Sequence, residues 1–393
     1  MKKDRTEKPL TLSVCLIVKN ESAVLARCLD CAAKFADEIV VVDTGSSDDT
    51  RSLARKFTAH VFDFVWRDDF SAARNYAFSR AHGDYLMWLD ADDVIEASEI
   101  EKIKFLKQRL ALADTFMFLY HSGGLSYCRE RILRNCPQAC WQGRVHEVIP
   151  PFGRVSFEDI TILHAKENAG MDTPDCRNLN IYRKMLSEGE PFSARDEFYY
   201  ARELFYHRDY GTAIERFESF LSRADGWAEN KIAACEHLAD CFLATGDREK
   251  AELSLLRAQL YGSPRAEHLF KLGGIFFETG DYFRAAFYYQ SCLLCKRAES
   301  TGGFYVSDCY GFLPCIQLCV CFSRMGDNAA AERYNQMAGE YRPDDPAYLY
   351  NVGYFRALRK REKSGTEQSG DAETRTDGAT RAGKDEHGAG EGE

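Results

Sequence analysis

Long apolar runs are missing from this sequence of 393 residues. The longest, such as 39–42 and 116–120, fall far below the roughly 18 to 20 residues that a membrane-spanning helix needs. The charged N-terminus, 1–8, is not followed by the apolar core of a signal peptide. We therefore expect a cytoplasmic protein with no integral membrane segment.

An excess of positive charge is also missing. The 51 Lys and Arg residues face 61 Asp and Glu residues, which gives a net charge of −10. Nucleic-acid binding needs a basic surface, so we expect no nucleic-acid partner. With 45% hydrophobic residues, the chain has enough apolar surface to exclude a fully disordered protein.

Cysteine pairs at zinc-finger spacing are the third absence. The 15 cysteines include two CxxC pairs, Cys28 with Cys31 and Cys292 with Cys295, but neither has a second pair or a His cluster at a suitable distance. Without a secretory signal the thiols should be reduced. Core packing is therefore favoured over metal binding for both pairs.

Residues 10–170 alternate between strand-like and helix-like segments. Apolar runs at 12–18, 38–42, 61–66 and 85–89 predict strands, and the segments between them predict helices. This alternation predicts an α/β domain with a mostly parallel sheet and flanking helices.

Residues 195–360 carry a different, helical pattern with a repeat. Gly246-Asp247 and Gly280-Asp281 are 34 residues apart, and each is preceded by an aromatic residue and followed by a small one at equal distances. Two further copies fit this register around Asp209 and Gly326-Asp327. The spacing predicts an all-α tetratricopeptide-repeat solenoid, with an ordinary helical bundle as the alternative.

The remaining segments are short or polar. We predict a flexible N-terminus over 1–9 and a connecting segment over 171–194. Residues 361–393 contain no side chain larger than Ala among the apolar types, and 5 basic against 9 acidic residues. Such a segment cannot bury enough surface to offset its ordering entropy, which predicts a disordered charged tail.

The candidate chemistry begins with Asp90-Ala91-Asp92, at the end of the strand predicted over 85–89. Two carboxylates two residues apart point the same way, and together they can hold a divalent cation that neutralises a diphosphate. The alternative is an acidic turn that caps the next helix.

Two further residues stand at similar positions. Asp43 ends the strand predicted over 38–42 and could accept hydrogen bonds from a nucleobase or ribose, or simply cap a turn. Arg74 lies on a predicted helix and could contact a phosphate or base through its planar donor group, or pair with Asp69.

Taken together, these segments resemble the family 2 glycosyltransferases of the GT-A fold. The matching pieces, in order, are 13–21 (SVCLIVKNE), 40–50 (VVVDTGSSDDT), 73–75 (ARN) and 90–92 (DAD). The resemblance covers residues 10 to about 165. The repeats that follow narrow it towards the subgroup of the sublancin S-glycosyltransferase.

The resemblance implies a role for each matching residue. Glu21 and Asp43 would hold the nucleoside of a sugar nucleotide, with Arg74 fixing the donor. Asp90 would lie near the ribose and diphosphate, and Asp92 would bind Mn²⁺ or Mg²⁺.

An acceptor-side motif of this subgroup is matched by 131–134 (RILR) and 141–147 (WQGRVHE). An inverting transfer needs a base that removes the acceptor proton. Glu147 is our first choice and His146 the second, although Glu147 could instead pair with Arg144. Relatives known by an Asp-rich motif differ here, because this chain has His-Glu.

Two further residues each have a functional and a structural interpretation. His164 ends a short strand and could complete the metal site, but a lone His on an apolar strand is more often a core residue. Trp141 could contact a sugar or the acceptor, or pack in the core.

The sequence thus predicts a metal-dependent glycosyltransferase that moves a hexose from a UDP-sugar such as UDP-glucose to a peptide or protein acceptor. Attachment would be through Cys, Ser or Thr with inversion, and the repeats would bind the acceptor. Two alternatives stay open. One is transfer to a cell-envelope saccharide or lipid-linked acceptor, and the other is a non-catalytic scaffold with an inactive sugar-nucleotide fold. A homo-oligomer is a further option.

Overall fold

Eight strands form one sheet in the N-terminal part of a computed structural model, which describes residues 9–122, 125–165, 176–297 and 305–373. The strands are β1 (Leu12–Val18), β2 (Glu38–Asp43), β3 (Val61–Asp63), β4 (Tyr85–Trp88), β5 (Asp93–Val94), β6 (Thr115–Ser122), β7 (Leu125–Arg134) and β8 (Val155–His164). Their order across the sheet is β3-β2-β1-β4-β7-β6-β8-β5.

The first four strands form the parallel half of the sheet. β1 pairs with β2 and with β4 in parallel, and β2 pairs in parallel with β3. Helices connect them: α1 (Leu25–Ala32), α2 (Thr50–Ala54) and α3 (Phe70–Ser79), with α4 (Ala97–Lys107) after β5. This confirms the α/β class and places the ends of β1, β2 and β4 at one edge.

Apolar residues cover both faces of this half. On β1, Leu12, Val14 and Leu16 pack into one core cluster, whereas Cys15 packs into the cluster on the other face. A strand that is buried on both sides reads as a continuous apolar run, which explains why these strands stand out in the sequence.

The second half of the sheet differs from the prediction. β7 pairs antiparallel with β4 and β6, and β5 pairs antiparallel with β8, while β6 and β8 are parallel. The sheet is therefore mixed. The hairpin of β6 and β7 has charged residues on β7, which mask the strand pattern in the sequence.

Helix pairs follow the sheet. After α5 (Arg177–Ser187), the first compact unit (1–310) holds three pairs, and the second (311–393) holds one pair and a last helix. The pairs are α6 (Ala194–Tyr206) with α7 (Tyr210–Ser222), α8 (Ala228–Ala244) with α9 (Arg248–Arg257), and α10 (Ala266–Glu278) with α11 (Tyr282–Cys292). The second unit holds α12 (Phe312–Arg324) with α13 (Asn328–Tyr341), and α14 (Pro346–Glu373).

Each of the four pairs turns at an aspartate, as the repeat pattern predicts. The residue before this aspartate is in the left-handed region, with φ of 86° at Gly246 and 77° at Gly280, and the aspartate caps the second helix. In the first pair Arg208 takes this position with φ of 61°. Glycine adopts this conformation without strain, which accounts for the Gly-Asp signature of the tetratricopeptide corner.

The predicted segment boundaries stay predictions. The connecting segment contains α5, and residues 171–175 of it lie outside the described residues, as do 1–8. α14 extends past residue 360 to Glu373. The rest of the predicted tail, 374–393, also lies outside the described residues.

The cysteines of the first CxxC pair lie where core packing predicts. Cys28 is buried and its Sγ donates to the carbonyl of Asp90, and Cys31 Sγ donates to the carbonyl of Ile95. Burial raises the pKa of the Cys28 thiol well above its ordinary value. In the parts of the chain that the structure describes, no helix is both long and apolar enough to span a bilayer.

Candidate active site

Two aspartates mark the edge at which the parallel strands end. Asp43 is the last residue of β2 and lies beside Val18 at the end of β1. Asp90 follows β4 by two residues. In open α/β sheets ligands bind outside the carboxyl ends of the strands, so these aspartates mark the expected crevice.

Asp43 is buried and holds the turn that follows β2. Its Oδ1 accepts hydrogen bonds from the backbone N–H groups of Gly45 (3.0 Å) and Ser46 (2.9 Å) and from Arg51 Nε (2.8 Å). Burial alone would raise the pKa of Asp43, but these bonds lower it below its ordinary value. Oδ2 is buried without a partner among the described residues, so a ligand N–H could bind there.

Glu21 lies on the loop after β1, which contacts the turn after Asp43. The N–H of Glu21 donates to Thr50 Oγ1 at 2.8 Å, and Asn20 Oδ1 accepts from the N–H of Ser47 at 2.8 Å. The two loops that carry the predicted nucleoside-binding residues are therefore adjacent.

Arg74, on α3, links the strand edge to the segment that carries the predicted base. Its Nε donates to Glu147 Oε1 at 2.6 Å and its Nη2 to Asp90 Oδ1 at 2.8 Å. Burial opposes the charge of Arg74, but the two carboxylates outweigh it and raise its pKa. Asp69, the alternative partner, instead caps α3 by accepting from the N–H of Ala72.

Asp92, Asp93 and His164 form a cluster beside this edge. Because β5 pairs with β8, Asp93 lies opposite His164, and one ligand atom from each of the three residues lies within 4.8 Å of the others. His164 Nδ1 is 3.3 Å from Asp92 Oδ1. Hydrogen bonding to Asp92 and then to Asp93 raises the pKa of His164 to about 10. Two carboxylates and an imidazole suit Mn²⁺, and the carboxylates suit Mg²⁺.

Asp93 is held from several sides. Its Oδ1 accepts from the hydroxyl of Tyr120 (2.8 Å), and its Oδ2 accepts from the N–H of Asp90 (3.0 Å) and from Arg131 Nη1 (2.9 Å). Arg131 is fully buried, with its guanidinium over the rings of Trp88 and Tyr120. These contacts engage both oxygens of Asp93, so Asp92 carries the less engaged carboxylate of the cluster. His164 Nδ1 also lies 2.9 Å from the hydroxyl of Tyr120.

The buried pair of Asp93 and Arg131 makes a stability prediction. Replacing Asp93 with Ala leaves the charge of Arg131 buried and unpaired, which we expect to cost about 3–5 kcal/mol of unfolding free energy. Asp92→Ala is the matched control, because the Asp92 side chain is 20% exposed and, among the described residues, forms an ion pair with His164 alone. Urea unfolding of both variants tests this, and equal losses would contradict the supporting role of Arg131.

His146 is anchored to the first repeat helix. Its Nε2 lies 2.7 Å from Glu203 Oε1, its ring stacks on Tyr199 with centroids 4.2 Å apart, and its carbonyl accepts from Arg195 Nε at 2.9 Å. Burial lowers the pKa of His146. His146, which has φ of 51°, directly precedes Glu147 in the chain. The contacts with α6 that hold His146 therefore also set the position of Glu147, the predicted base.

A cavity of about 860 Å³ lies between the sheet and the first helices of the repeats. Its wall from the sheet domain contains Arg74, Trp88, Asp90, Met117, Tyr127, Cys128, Arg129, Glu130, His146, Glu147 and Phe157, and its wall from the helices contains Arg177, Asn178, Arg195, Tyr199, Arg202, Trp227 and Asn230. Arg74 and Asp90, predicted for donor binding, thus share one space with His146 and Glu147 and with repeat residues.

Comparison with known proteins agrees with this geometry. The family model for glycosyl transferase family 2 matches residues 13–127. The prophage-derived glycosyltransferase SunS of Bacillus subtilis is 26% identical over 215 residues, which are 51% of this chain and 50% of that protein. Residues 13–127 form a family 2 glycosyltransferase domain.

The family 2 domain is joined to tetratricopeptide repeats. A TPR repeat-containing protein of Synechococcus elongatus is 39% identical over 141 residues, which are 35% of this chain and 35% of that protein. The chain thus spans half or less of the length of these two relatives. A crystal structure of residues 1–349 of S. aureus TarS covers 64% of this chain and 92% of that one, at 14% identity and a TM-score of 0.33. A TM-score this low supports no argument.

Most of the residues predicted for the family 2 domain come together. Arg74, Asp90, His146 and Glu147 line the cavity, and Asp92 and His164 belong to the acidic cluster. Their roles in binding and catalysis stay predictions. Arg144, the alternative partner of Glu147, instead pairs with Glu188 and Glu190.

The predicted contact of Trp141 with a sugar or acceptor needs correction. Its side chain is 2% exposed and packs against Trp88 and Phe78, and it does not line the cavity. Core packing therefore accounts for Trp141, because an indole buried between two aromatic rings cannot reach a ligand.

The arginine-rich strand of the acceptor-side motif also has another function. Arg131 is buried beneath Asp93, and Arg134 pairs with Asp114 at 3.1 Å. Neither lines the cavity. Arg129, on the same strand, does so, and it is paired with Glu130.

Several residues at the site were missed in the sequence. Asp93 belongs to the acidic run beside the DxD pair, so an Asp-Asp doublet could have indicated it. Glu203 and Tyr199 on α6, and Trp227 directly before α8, carry no such signal, because they are remote in sequence from the family 2 motifs. Trp227 is 49% exposed, which is high for a Trp that lines a cavity.

Proposed function

We propose that this protein is a metal-dependent glycosyltransferase that moves a hexose from a UDP-sugar to a peptide or protein acceptor, with inversion. One observation carries the proposal. Asp90 at the strand edge, the Arg74 link and Glu147 face a cavity whose opposite wall is built by repeat helices. That arrangement suits a donor on the sheet side and an acceptor on the helix side.

Donor binding would use the residues at the ends of β1, β2 and β4. The unpartnered Oδ2 of Asp43 can accept the imide N–H of a uracil, which supports a uridine nucleotide. Glu21 would contact the nucleoside from the adjacent loop. Arg74 would hold Asp90 near the ribose and diphosphate through their 2.8 Å hydrogen bond.

Asp92 and His164 would bind Mn²⁺ or Mg²⁺, with Asp93 orienting them. The cation, when bound, would neutralise charge on the departing diphosphate. The donor set fits, because carboxylate oxygens and one imidazole nitrogen converge within 4.8 Å.

Glu147 would remove the acceptor proton. Its Oε1 is held by Arg74, and the side chain is 11% exposed towards the cavity, which limits competition from water. His146 would position Glu147, since its Nε2 is engaged by Glu203. Glu147 is preferred to His146 as the base because His146 is already paired with the carboxylate of Glu203, whereas Glu147 faces Arg74.

A panel of sugar nucleotides tests the proposal. UDP-sugars with Mn²⁺ should raise the melting temperature and undergo slow hydrolysis, whereas GDP- and ADP-sugars should not. Saturation to 100 times the dissociation constant stabilises a protein by about 2.7 kcal/mol, which is several degrees.

Two controls accompany the panel. Mn²⁺ without nucleotide and UDP-glucose with a chelator should each leave the melting temperature nearly unchanged. If no sugar nucleotide gives a response with any divalent cation, the chain is a scaffold and the proposal fails. Intact-mass analysis with peptide and with lipid-linked saccharide acceptors then separates the acceptor classes.

A further inference from the structure

Two arginines project from α6 into the cavity. Arg195 and Arg202 are seven residues apart, which places them on one face of the helix, and both line the cavity. The ring of Tyr199 lies between them, 4.6 Å from the guanidinium carbon of Arg195 and 4.5 Å from that of Arg202. The repeat wall therefore presents two cations to the acceptor side.

These arginines differ from those on the opposite wall. Arg74 pairs with Asp90 and Glu147, and Arg129 pairs with Glu130. Within the described residues, no carboxylate lies within ion-pair distance of Arg195 or Arg202. In the part of the chain that the structure describes, Arg195 donates to the carbonyl of His146 and, at 3.4 Å, to the hydroxyl of Tyr199.

Arg202 is the less satisfied of the two. Its Nε is buried and has no hydrogen-bond partner among the described residues. A buried guanidinium N–H that has no acceptor favours an incoming anion, and the planar donor group matches a carboxylate. This is an observation about Arg202 itself, separate from the proximity of the two arginines.

The space continues beyond Arg202. A second cavity of about 210 Å³ shares Arg202, Trp227 and Asn230 with the first and continues to residues of α10. Its own carboxylates are engaged: Glu229 pairs with Arg265, Glu236 pairs with Lys271, and Glu267 accepts from the N–H of Val306. An occupant that crosses from one cavity to the other is extended, and it meets unpaired positive charge at Arg202.

We propose that the acceptor is an acidic peptide segment, in which an Asp or Glu side chain pairs with Arg202 and Arg195 while the glycosylated residue lies beside Glu147. This rests on the proposed transferase function and names its substrate class. The carboxylate would replace the missing counter-ion, and Trp227 at the junction of the cavities would pack on the peptide.

Matched peptide pools test the proposal. Decapeptides with amidated C-termini carry Cys, Ser or Thr at the centre, with Glu or Gln at each flanking position in turn. The full chain is incubated with each pool, Mn²⁺ and UDP-sugars, and transfer is read by intact mass. At one flanking position Glu should give about tenfold more product than Gln, the effect of a charged hydrogen bond.

Two variants assign the effect to Arg202. Arg202→Gln should reduce the Glu-to-Gln ratio to about one while its metal-dependent response to UDP-sugar stays. Arg248→Gln, which removes an exposed arginine that lines neither cavity, should keep the ratio. Arg195→Gln should lower the ratio partly, because Arg195 already donates to two neighbours.

Binding separates this inference from the function on which it rests. Fluorescence anisotropy with labelled members of the two pools needs no transfer. Suppose that Glu peptides bind preferentially, that Arg202→Gln abolishes this preference, and that no pool gives transfer. This result would support the acidic-peptide surface and contradict the proposed transferase function. Equal binding and equal transfer of the Glu and Gln peptides would overturn the inference.

Discussion

Asp92→Ala is expected to abolish the Mn²⁺-dependent response to UDP-sugar and to reduce sugar transfer on the order of a thousandfold. The proposed cation site uses Asp92 and His164, because contacts from Tyr120 and Arg131 engage the oxygens of Asp93. A cation contributes several kcal/mol to charge stabilisation in the transition state, and each 1.36 kcal/mol is tenfold in rate. Thermal shift with and without Mn²⁺, and product formation, measure the two effects.

The control for Asp92→Ala is Asp159→Ala. Asp159 is an aspartate with a fully exposed side chain that pairs with Lys102 and lies outside the cavity. The Asp159→Ala substitution removes the same charge from the protein and should leave sugar transfer and the Mn²⁺-dependent response unchanged. A persistent metal-dependent response in Asp92→Ala would place the cation elsewhere.

Glu147→Gln is expected to lower transfer by roughly 10² to 10⁴, the range for loss of a general base. The amide oxygen of Gln can still accept from Arg74 Nε, so the geometry of the Arg74 link should persist. Binding of UDP-sugar should therefore change little. Single-turnover transfer at saturating donor, together with thermal shift, separates the chemical step from binding.

Two comparisons make the Glu147 result decisive. Glu190→Gln removes a nearby carboxylate that pairs with Arg144 and does not line the cavity, and it should retain transfer. His146→Gln should lower transfer less than Glu147→Gln if His146 is a positioning residue. If His146→Gln is the more damaging change, the assignment of the base is reversed.

The strand-edge residues were accessible from the sequence because their local pattern is unambiguous. β1, β2 and β4 are buried on both faces, so each reads as an apolar run that stops at a polar residue. Asp43 and Asp90 follow two of these runs. A parallel sheet brings such ends together, which makes their proximity a consequence of chain order alone.

The repeat wall of the cavity was not accessible in this way. Arg195, Arg202 and Glu203 look like the charged residues of any partly exposed helix, and only the packing of α6 against residues 145–148 gives them a role. Nothing in the periodicity of a tetratricopeptide pattern tells which of its helices contacts another domain. Such contacts depend on tertiary structure.

Arg131 shows a different limit of prediction from sequence. A charged residue on a strand is normally read as facing solvent or ligand, because burial of an unpaired charge is costly. Here Asp93 and two aromatic rings surround it, so its burial depends on residues that come from three other strands. Trp141 is the opposite case, a residue considered for ligand contact that lies in the core. A tryptophan suited to stacking on sugar is equally suited to a core.

α6 both anchors His146 and carries arginines that line the cavity. These two roles decide where this protein can be recombined with its relatives. Under the proposed function, exchange of repeat arrays should change the acceptor preference. A junction placed before α6 would discard Glu203 and with it the anchor of His146. A junction in the loop between α9 and α10 keeps Arg202, Trp227 and Asn230 with the family 2 domain. Chimeras joined there should retain the cavity of about 860 Å³ and change only the helices that follow α9.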